Sequence, residues 1–155
     1  MQVRRLGTRD LELAVKAIQT LKEPTAQSTL GSEYLKKFLS RPENVLIVAE
    51  LEGMPKGFLL AYMLNRVDRD QKMVCLYEIG VSESHRRRGI GRAMIESLKL
   101  LCKQENVMKA WGITNRSNLA AVRLYERTGA TSHPNGDEVG FVYGPENWPN
   151  AMAGR

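Results

Sequence analysis

Eight consecutive residues, His85-Arg86-Arg87-Arg88-Gly89-Ile90-Gly91-Arg92, hold four arginines and two glycines. They stand between an apolar run ending at Ser82 and a helical pattern starting at Ile90. A helix N-terminus has unpaired N–H groups and the positive end of the helix dipole. Glycines let backbone approach a phosphate closely, and arginines add charge and paired donors. The junction therefore suits an anion; a solvated basic loop with glycine turns is the other reading. It is no P-loop, because Arg92-Ala93 follows the second glycine where Lys-Ser/Thr is needed. A dinucleotide fingerprint is disfavoured too. Met94 stands where a third small residue belongs, and the stretch lies mid-chain.

A second feature is Glu78, an acid in the otherwise apolar run MVCLYEIGV, residues 73–81. A carboxylate there would lose part of its water and become a better general base. An outward-facing charge on an alternating strand is the alternative. Other chemistries are poorly supplied. His85 and His133 are the only histidines, and Cys75 and Cys102 the only cysteines, so no metal site is expected. Cys75 has no histidine nearby in sequence and reads as a buried strand thiol rather than a nucleophile. Both thiols read as reduced, which implies the cytoplasm. The opening residues, MQVRRLGTRD, carry no apolar stretch of a secretion signal. No run of about 18 apolar residues exists, so no membrane partner is expected.

The elements that must position these residues follow from periodicity. Gln2 to Leu6 reads as a short strand. Thr8 or Asp10 opens a helix with Leu11, Ala14, Val15, Ile18 and Leu21 at helical spacing, stopped by Pro24. Ser32 caps a second helix carrying Leu35, Phe38 and Leu39. Three strands follow: Asn44–Leu51, Lys56–Val67 and Met73–Ser82. Glu52-Gly53-Met54-Pro55 and Asp68-Arg69-Asp70-Gln71 turn between them. Turns that short connect only antiparallel strands. A long helix runs from Ile90 to Asn106, with Met94, Ile95, Leu98, Leu101 and Cys102 as its buried stripe. Lys109–Thr114 is a strand on which Trp111 packs. Asn118 caps a helix with Ala121, Val122 and Tyr125 on one face, ended by Thr128-Gly129. Val139–Tyr143 is a last strand. The expected fold is α/β with a mixed sheet, an antiparallel meander feeding a β-α-β-α-β half.

Arg86-x-x-Gly89-x-Gly91, opening a helix after a strand of the type YEIGVS, resembles the acetyl-CoA signature of the GNAT superfamily of N-acetyltransferases. Asn118-x-x-Ala121-x-x-Leu124-Tyr125-Glu126-Arg127-x-Gly129 is similar to that superfamily's second signature. One helix and one strand separate the two, as in the family. A closer likeness covers Ser32-Glu33-Tyr34-Leu35, the hairpin around Gly53, Ala61-Tyr62 and Tyr77 through Arg87. These resemble the GNAT-type aminoglycoside 3-N-acetyltransferases. That group has an acidic stretch where this chain reads Asn115-Arg116-Ser117-Asn118, and an aspartate where it has Val142.

The resemblance implies one acetyltransferase domain over residues 1–145 and a loose tail at 146–155. It implies acetyl transfer from acetyl-CoA to a primary amine by direct attack, with an aminoglycoside as the favoured acceptor. Rivals are a polyamine, another small amine or a protein amine. A non-catalytic CoA-binding sensor is an alternative of another class. It implies splayed central strands. The strand carrying Ile79, Gly80 and Val81 would pair with the cofactor's pantetheine arm, and the Val81 N–H would serve as oxyanion donor. Gly80 would suit a close backbone approach or a bulge. Backbone N–H groups from Arg86 to Arg92, with Arg87, Arg88, Gly89, Ile90 and Gly91 between, would hold the pyrophosphate, and Asn118 would add a contact. An amine of pKa about 10.4 must lose a proton, and an acid stands at position 78 in the closer group, which favours Glu78 as base. Tyr125 would protonate the departing thiolate, or else be a core tyrosine. Tyr62, Tyr77 and Asn115 would line the acceptor pocket. Family members often pair, so a homodimer is possible.

Net charge is +6, from 23 basic and 17 acidic residues. Such an excess raises nucleic acid as a partner. No aromatic-interleaved basic strand or recognition helix accompanies the arginines, so that reading is set aside. Four of the basic residues sit in the one stretch 85–92, and without them the excess is +2. A polycationic acceptor would then need a local acidic cleft. Glu78 is one wall; Asp68, Asp70, Asp137 and Glu138 are others.

Overall fold

The run Asn44–Leu51 is apolar at nearly every position, as a strand covered on both faces must be. It is the second of five strands in the computed structural model, which describes residues 1–21 and 31–131. The strands are β1 (Gln2–Arg5), β2 (Asn44–Leu51), β3 (Met54–Asn65), β4 (Lys72–Val81) and β5 (Val107–Gly112). They lie in one sheet in chain order. The first four pair antiparallel; β5 pairs parallel to β4. The helices are α1 (Leu11–Leu21), α2 (Ser32–Leu39), α3 (Ile90–Gln104) and α4 (Leu119–Arg127). The mixed sheet, the meander and the crossover through α3 are those read from the sequence.

Two cores result, one on each face. Alternation along β2 sends Val45, Ile47 and Ala49 to one face and Leu46 and Val48 to the other. The first face packs on Ile90, Met94, Ile95 and Leu98 of α3. The second packs on Ala14 and Ala17 of α1 and Leu35 and Leu39 of α2. Leu101 and Cys102, expected in the buried stripe of α3, are half-buried at its margin. Gly57 explains how closely α3 sits. A Cβ there would lie 2.9 Å from both Ile90 Cγ2 and Met94 Cε.

Several boundaries differ from the expectation. Glu52 and Gly53 both have positive φ, 53° and 72°, and alone form the turn. Met54 and Pro55 already belong to β3, which therefore starts and ends two residues early. The N-cap of α2 is Gly31, with Ser32 the first helical residue and no side-chain cap. The helix α3 stops at Gln104 because Asn106 turns left-handed, φ 53°, a conformation asparagine tolerates. The strand β5 begins directly afterwards, two residues earlier than expected. Before α1 the cap position is Gly7 rather than Thr8 or Asp10; the Asp10 carboxylate accepts from the Gly7 N–H at 2.9 Å and pairs with Arg4. A short 3-10 turn, Thr8–Asp10, leads into the helix. Pro24, His133, Asp137, Glu138, Val142, the strand 139–143 and the tail 146–155 fall outside the described residues. Among the described residues, no helix is long and apolar enough to cross a membrane.

Candidate active site

The strands β4 and β5 part company halfway. Their register runs from Lys72↔Val107 to Leu76↔Gly112 and ends there. The strand β4 continues to Val81, held on its other side by β3 as far as Gly57↔Val81. Residues 77–81 therefore have a strand on one edge and, among the described residues, none on the other. The strand β5 ends at Gly112, so β4 outruns it on the edge where a splay was expected.

A bulge lies where the gap opens. Leu60 pairs with Glu78, but Ala61 pairs with Leu76, so Tyr77 is an extra residue on β4. The bulge was anticipated near Gly80. Gly80 has another reason to be glycine: a Cβ there would sit 2.6 Å from Phe58 Cε1. The close approach is by a core ring rather than by a ligand.

The faces of β4 then follow by alternation. Ile79 and Val81 pack against the α3-side core. Gly80 lies under Phe58, which belongs to the core of α1 and α2. Glu78 shares that second face and is half-buried. Tyr77, re-aimed by the bulge, reaches the same side. Its ring meets Tyr62 edge-to-face at 5.7 Å, and Tyr62 meets Phe38 of α2 in the same way at 6.3 Å. Tyr62 and Glu78 both have partners in the folded chain. Phe38 was read only as helix core; its place in this aromatic column depends on three separate elements and has no local signal.

On the opposite face, α3 begins immediately after the basic loop. Its N-cap is Gly89, φ 80°, which supplies no side-chain cap. Ala93 N–H closes the first helical bond on Gly89 O. The N–H groups of Ile90, Gly91 and Arg92 precede that bond and have no acceptor within the helix. A Cβ on Gly89 would meet nothing within 4 Å, so its left-handed φ rather than crowding favours glycine there. Arg86, Arg87, Arg88 and Arg92 are exposed around those N–H groups. These features fit a diphosphate. Arg86 departs from expectation: its N–H donates to Glu83 O at 3.3 Å, so it is not a free backbone donor. Its side-chain Nε–H donates to the Val81 carbonyl at 3.3 Å. Beside it, His85 Nδ1 lies 2.8 Å from Ser84 Oγ. Desolvation, with Lys56 and Arg88 adding repulsion, holds the imidazole below its ordinary pKa.

The helix α4 closes this face. A Cβ on Gly91 would lie 3.2 Å from Leu124 Cδ2. Asn118 caps α4 by accepting from Ala121 N–H at 3.2 Å. Tyr125 packs beside Leu124 on the α3-side core, and burial pushes its phenol above the ordinary value. Glu78 and Tyr125 thus lie on opposite faces of the sheet. Asn115 is exposed ahead of α4, its carbonyl accepting from Asn118 N–H.

Of the acids expected to wall a cleft, Asp68 and Asp70 stand apart from Glu78, and Asp137 and Glu138 lie outside the described residues. Asp68 and Asp70 sit in the β3–β4 turn, whereas Glu78 is six residues into β4 from Lys72. At the rise of a strand that is about 20 Å. Asp68 is also taken up by Arg66, at 2.7 and 2.8 Å, and Arg69, at 3.2 Å. Cys75 is half-buried opposite Tyr62, and Trp111 is half-buried opposite Cys75. Among the described residues, no three His, Cys, Asp or Glu side chains cluster as metal ligands would.

Residues 13–130 match the sequence family described as Acetyltransferase (GNAT) family. A curated relative is the [ribosomal protein bS18]-alanine N-acetyltransferase of Escherichia coli (strain K12), 33% identical over 73 residues. That match covers 47% of this chain and 48% of the relative, so the chain spans about half the length of that protein. Among solved structures, an aminoglycoside acetyltransferase from an uncultured soil metagenomic sample, in complex with sisomicin, superposes with TM-score 0.78 and 21% identity. It covers 92% of this chain and 95% of its own. The ribosomal-protein-alanine N-acetyltransferase of Brucella melitensis biovar Abortus 2308 gives TM-score 0.65 at 21% identity, over 92% and 99%. These structural likenesses speak to the fold.

Proposed function

The chain belongs to the GNAT acetyltransferase family, and from that premise we propose that it acetylates a primary amine of an aminoglycoside, at the 3-amino position, using acetyl-CoA. The carrying observation is the gap beside β4 at residues 77–81, with Glu78 on one face and the α3 N-terminus on the other. The cofactor would supply an acetyl group activated as a thioester.

The chain's own residues divide the remaining tasks. The free N–H groups of Ile90, Gly91 and Arg92, with Arg86, Arg87 and Arg88, hold and neutralise the diphosphate. The open edge of β4 at Ile79, Gly80 and Val81 takes the extended arm, and the Val81 N–H stabilises negative charge on the carbonyl oxygen. Glu78 accepts the proton of the incoming ammonium. Tyr125, kept protonated by its burial, donates to the leaving sulfur. Asn118 and Asn115 border the cofactor and acceptor sides respectively. Residues 1–145 act as one domain in this reading.

The aminoglycoside acceptor is supported by the whole-chain likeness to the metagenomic enzyme bound to sisomicin. A second acceptor, the α-amino group of a protein, is favoured by the 33% identical relative that acetylates an alanine of a ribosomal protein. Free-thiol release from acetyl-CoA separates them, with sisomicin, spermidine and a peptide beginning with alanine as acceptors. Turnover of sisomicin is expected. Turnover of the peptide alone overturns the aminoglycoside reading, and cofactor binding without turnover of any acceptor overturns the enzyme reading.

A further inference from the structure

We propose that Tyr77 sets acceptor selectivity: its open ring is the surface on which an amino sugar bearing a second ammonium group lies while Glu78 meets the reacting amine. The inference rests on the acceptor reading above and deepens it. Tyr77 is the bulged residue of β4, without a register partner on β3 and one position past the last pair with β5. Bulges re-aim a side chain, and this one brings Tyr77 to the face that holds Glu78. The ring is fixed there by the column Tyr77–Tyr62–Phe38, with interplanar angles of 79° and 83°. Such contacts join the edge of one ring to the face of the next and leave most of Tyr77 uncovered; it is 66% exposed.

A protein of net charge +6 must attract a polycation by some local means. Asp68 and Asp70, the acids of the β3–β4 turn, lie at the far end of β4. The π-face of an aromatic ring attracts an ammonium group by its quadrupole and packs against the carbon skeleton that bears it. The Tyr77 ring and the Glu78 carboxylate are neighbours in sequence on one face, so both attract the same cation. A polycation is thereby recognised by an aromatic surface beside Glu78.

Steady-state kinetics with sisomicin as acceptor test this, using Tyr77→Ala, Tyr77→Leu and Tyr77→Phe. The alanine variant should raise the KM for sisomicin about tenfold, with the KM for acetyl-CoA within twofold of wild type (roughly the error of such a comparison). The phenylalanine variant should restore the sisomicin KM, and the leucine variant should behave as the alanine variant does. An unchanged sisomicin KM in the alanine variant overturns the proposal. Leucine restoring as fully as phenylalanine overturns it too, since apolar bulk would then suffice. Should the alanine variant fail to fold, the comparison of leucine with phenylalanine decides alone. A wild-type enzyme inert toward sisomicin defeats the acceptor reading and this inference with it; an active wild type with an indifferent Tyr77 defeats this inference only.

Discussion

At the scale of single residues, Glu78 and Tyr125 are asked for different amounts of catalysis. General bases contribute about a hundredfold or more, so Glu78→Gln should lower kcat at neutral pH by roughly that factor. Cofactor affinity should hardly move, because Glu78 faces away from the α3 side; isothermal titration with CoA checks this. If the rate is unaltered, another group removes the proton. Tyr125→Phe should cost less, about tenfold at most, since a thiolate of pKa about 8.5 leaves tolerably without help. Both residues were singled out as candidates in the sequence, one as an acid in an apolar strand and one through the second signature. Tyr77 was named in the sequence as a pocket-lining residue, but not as a bulged one. Its bulge depends on the relative register of two strands, which no single strand's pattern encodes. Phe38 was hidden for the same reason, since its partners come from β3 and, at one remove, β4.

At the scale of elements, periodicity sufficed wherever one face of a strand or helix had to be buried. The strand β2 and the start of α3 fall where the apolar pattern puts them. Ends were less legible, because they depend on backbone conformations that several residues share. Asn106 turning left-handed shortens α3, and its bonds there are to residues distant in sequence: its side-chain amide donates to Asp70 O and its carbonyl accepts from Lys72 N–H. Gly80 illustrates a different limit: sequence marks a close approach without naming what approaches. With the Phe58 ring in that space, Gly80→Ala should destabilise the fold by about 1–3 kcal/mol, measured by urea unfolding. The entry to α1 offers a pH test. The Gly7 N–H, together with Arg4, holds the Asp10 carboxyl below its usual pKa. Its contribution is thus present above the unfolded value of about 3.9 and lost as pH falls through the lower folded value. Asp10→Ala should cost about 1 kcal/mol at pH 7. At pH 3 the difference from wild type should shrink, and a constant difference would show that the charge is immaterial.

At the scale of the whole molecule, the excess positive charge has a location. Arg86, Arg87, Arg88 and Arg92 gather around the start of one helix, where the donors of Ile90, Gly91 and Arg92 also point. That gathering was readable in sequence, because the glycines and the helix start are contiguous with the arginines. Sequence could not place Asp68 and Asp70, since a turn and a mid-strand position eight to ten residues apart can be near or far. The parting of β4 from β5 has one more consequence, in the rate at which protons leave the backbone. Along residues 77–81 every second amide faces away from β3 and into the gap. In the free protein those amides should exchange with deuterated water far faster than their neighbours bonded to β3. Saturating CoA should slow them selectively. An isotope pattern in which the alternate amides of this one half-strand respond, and those of residues 72–76 do not, would trace the cofactor's path through the sheet amide by amide.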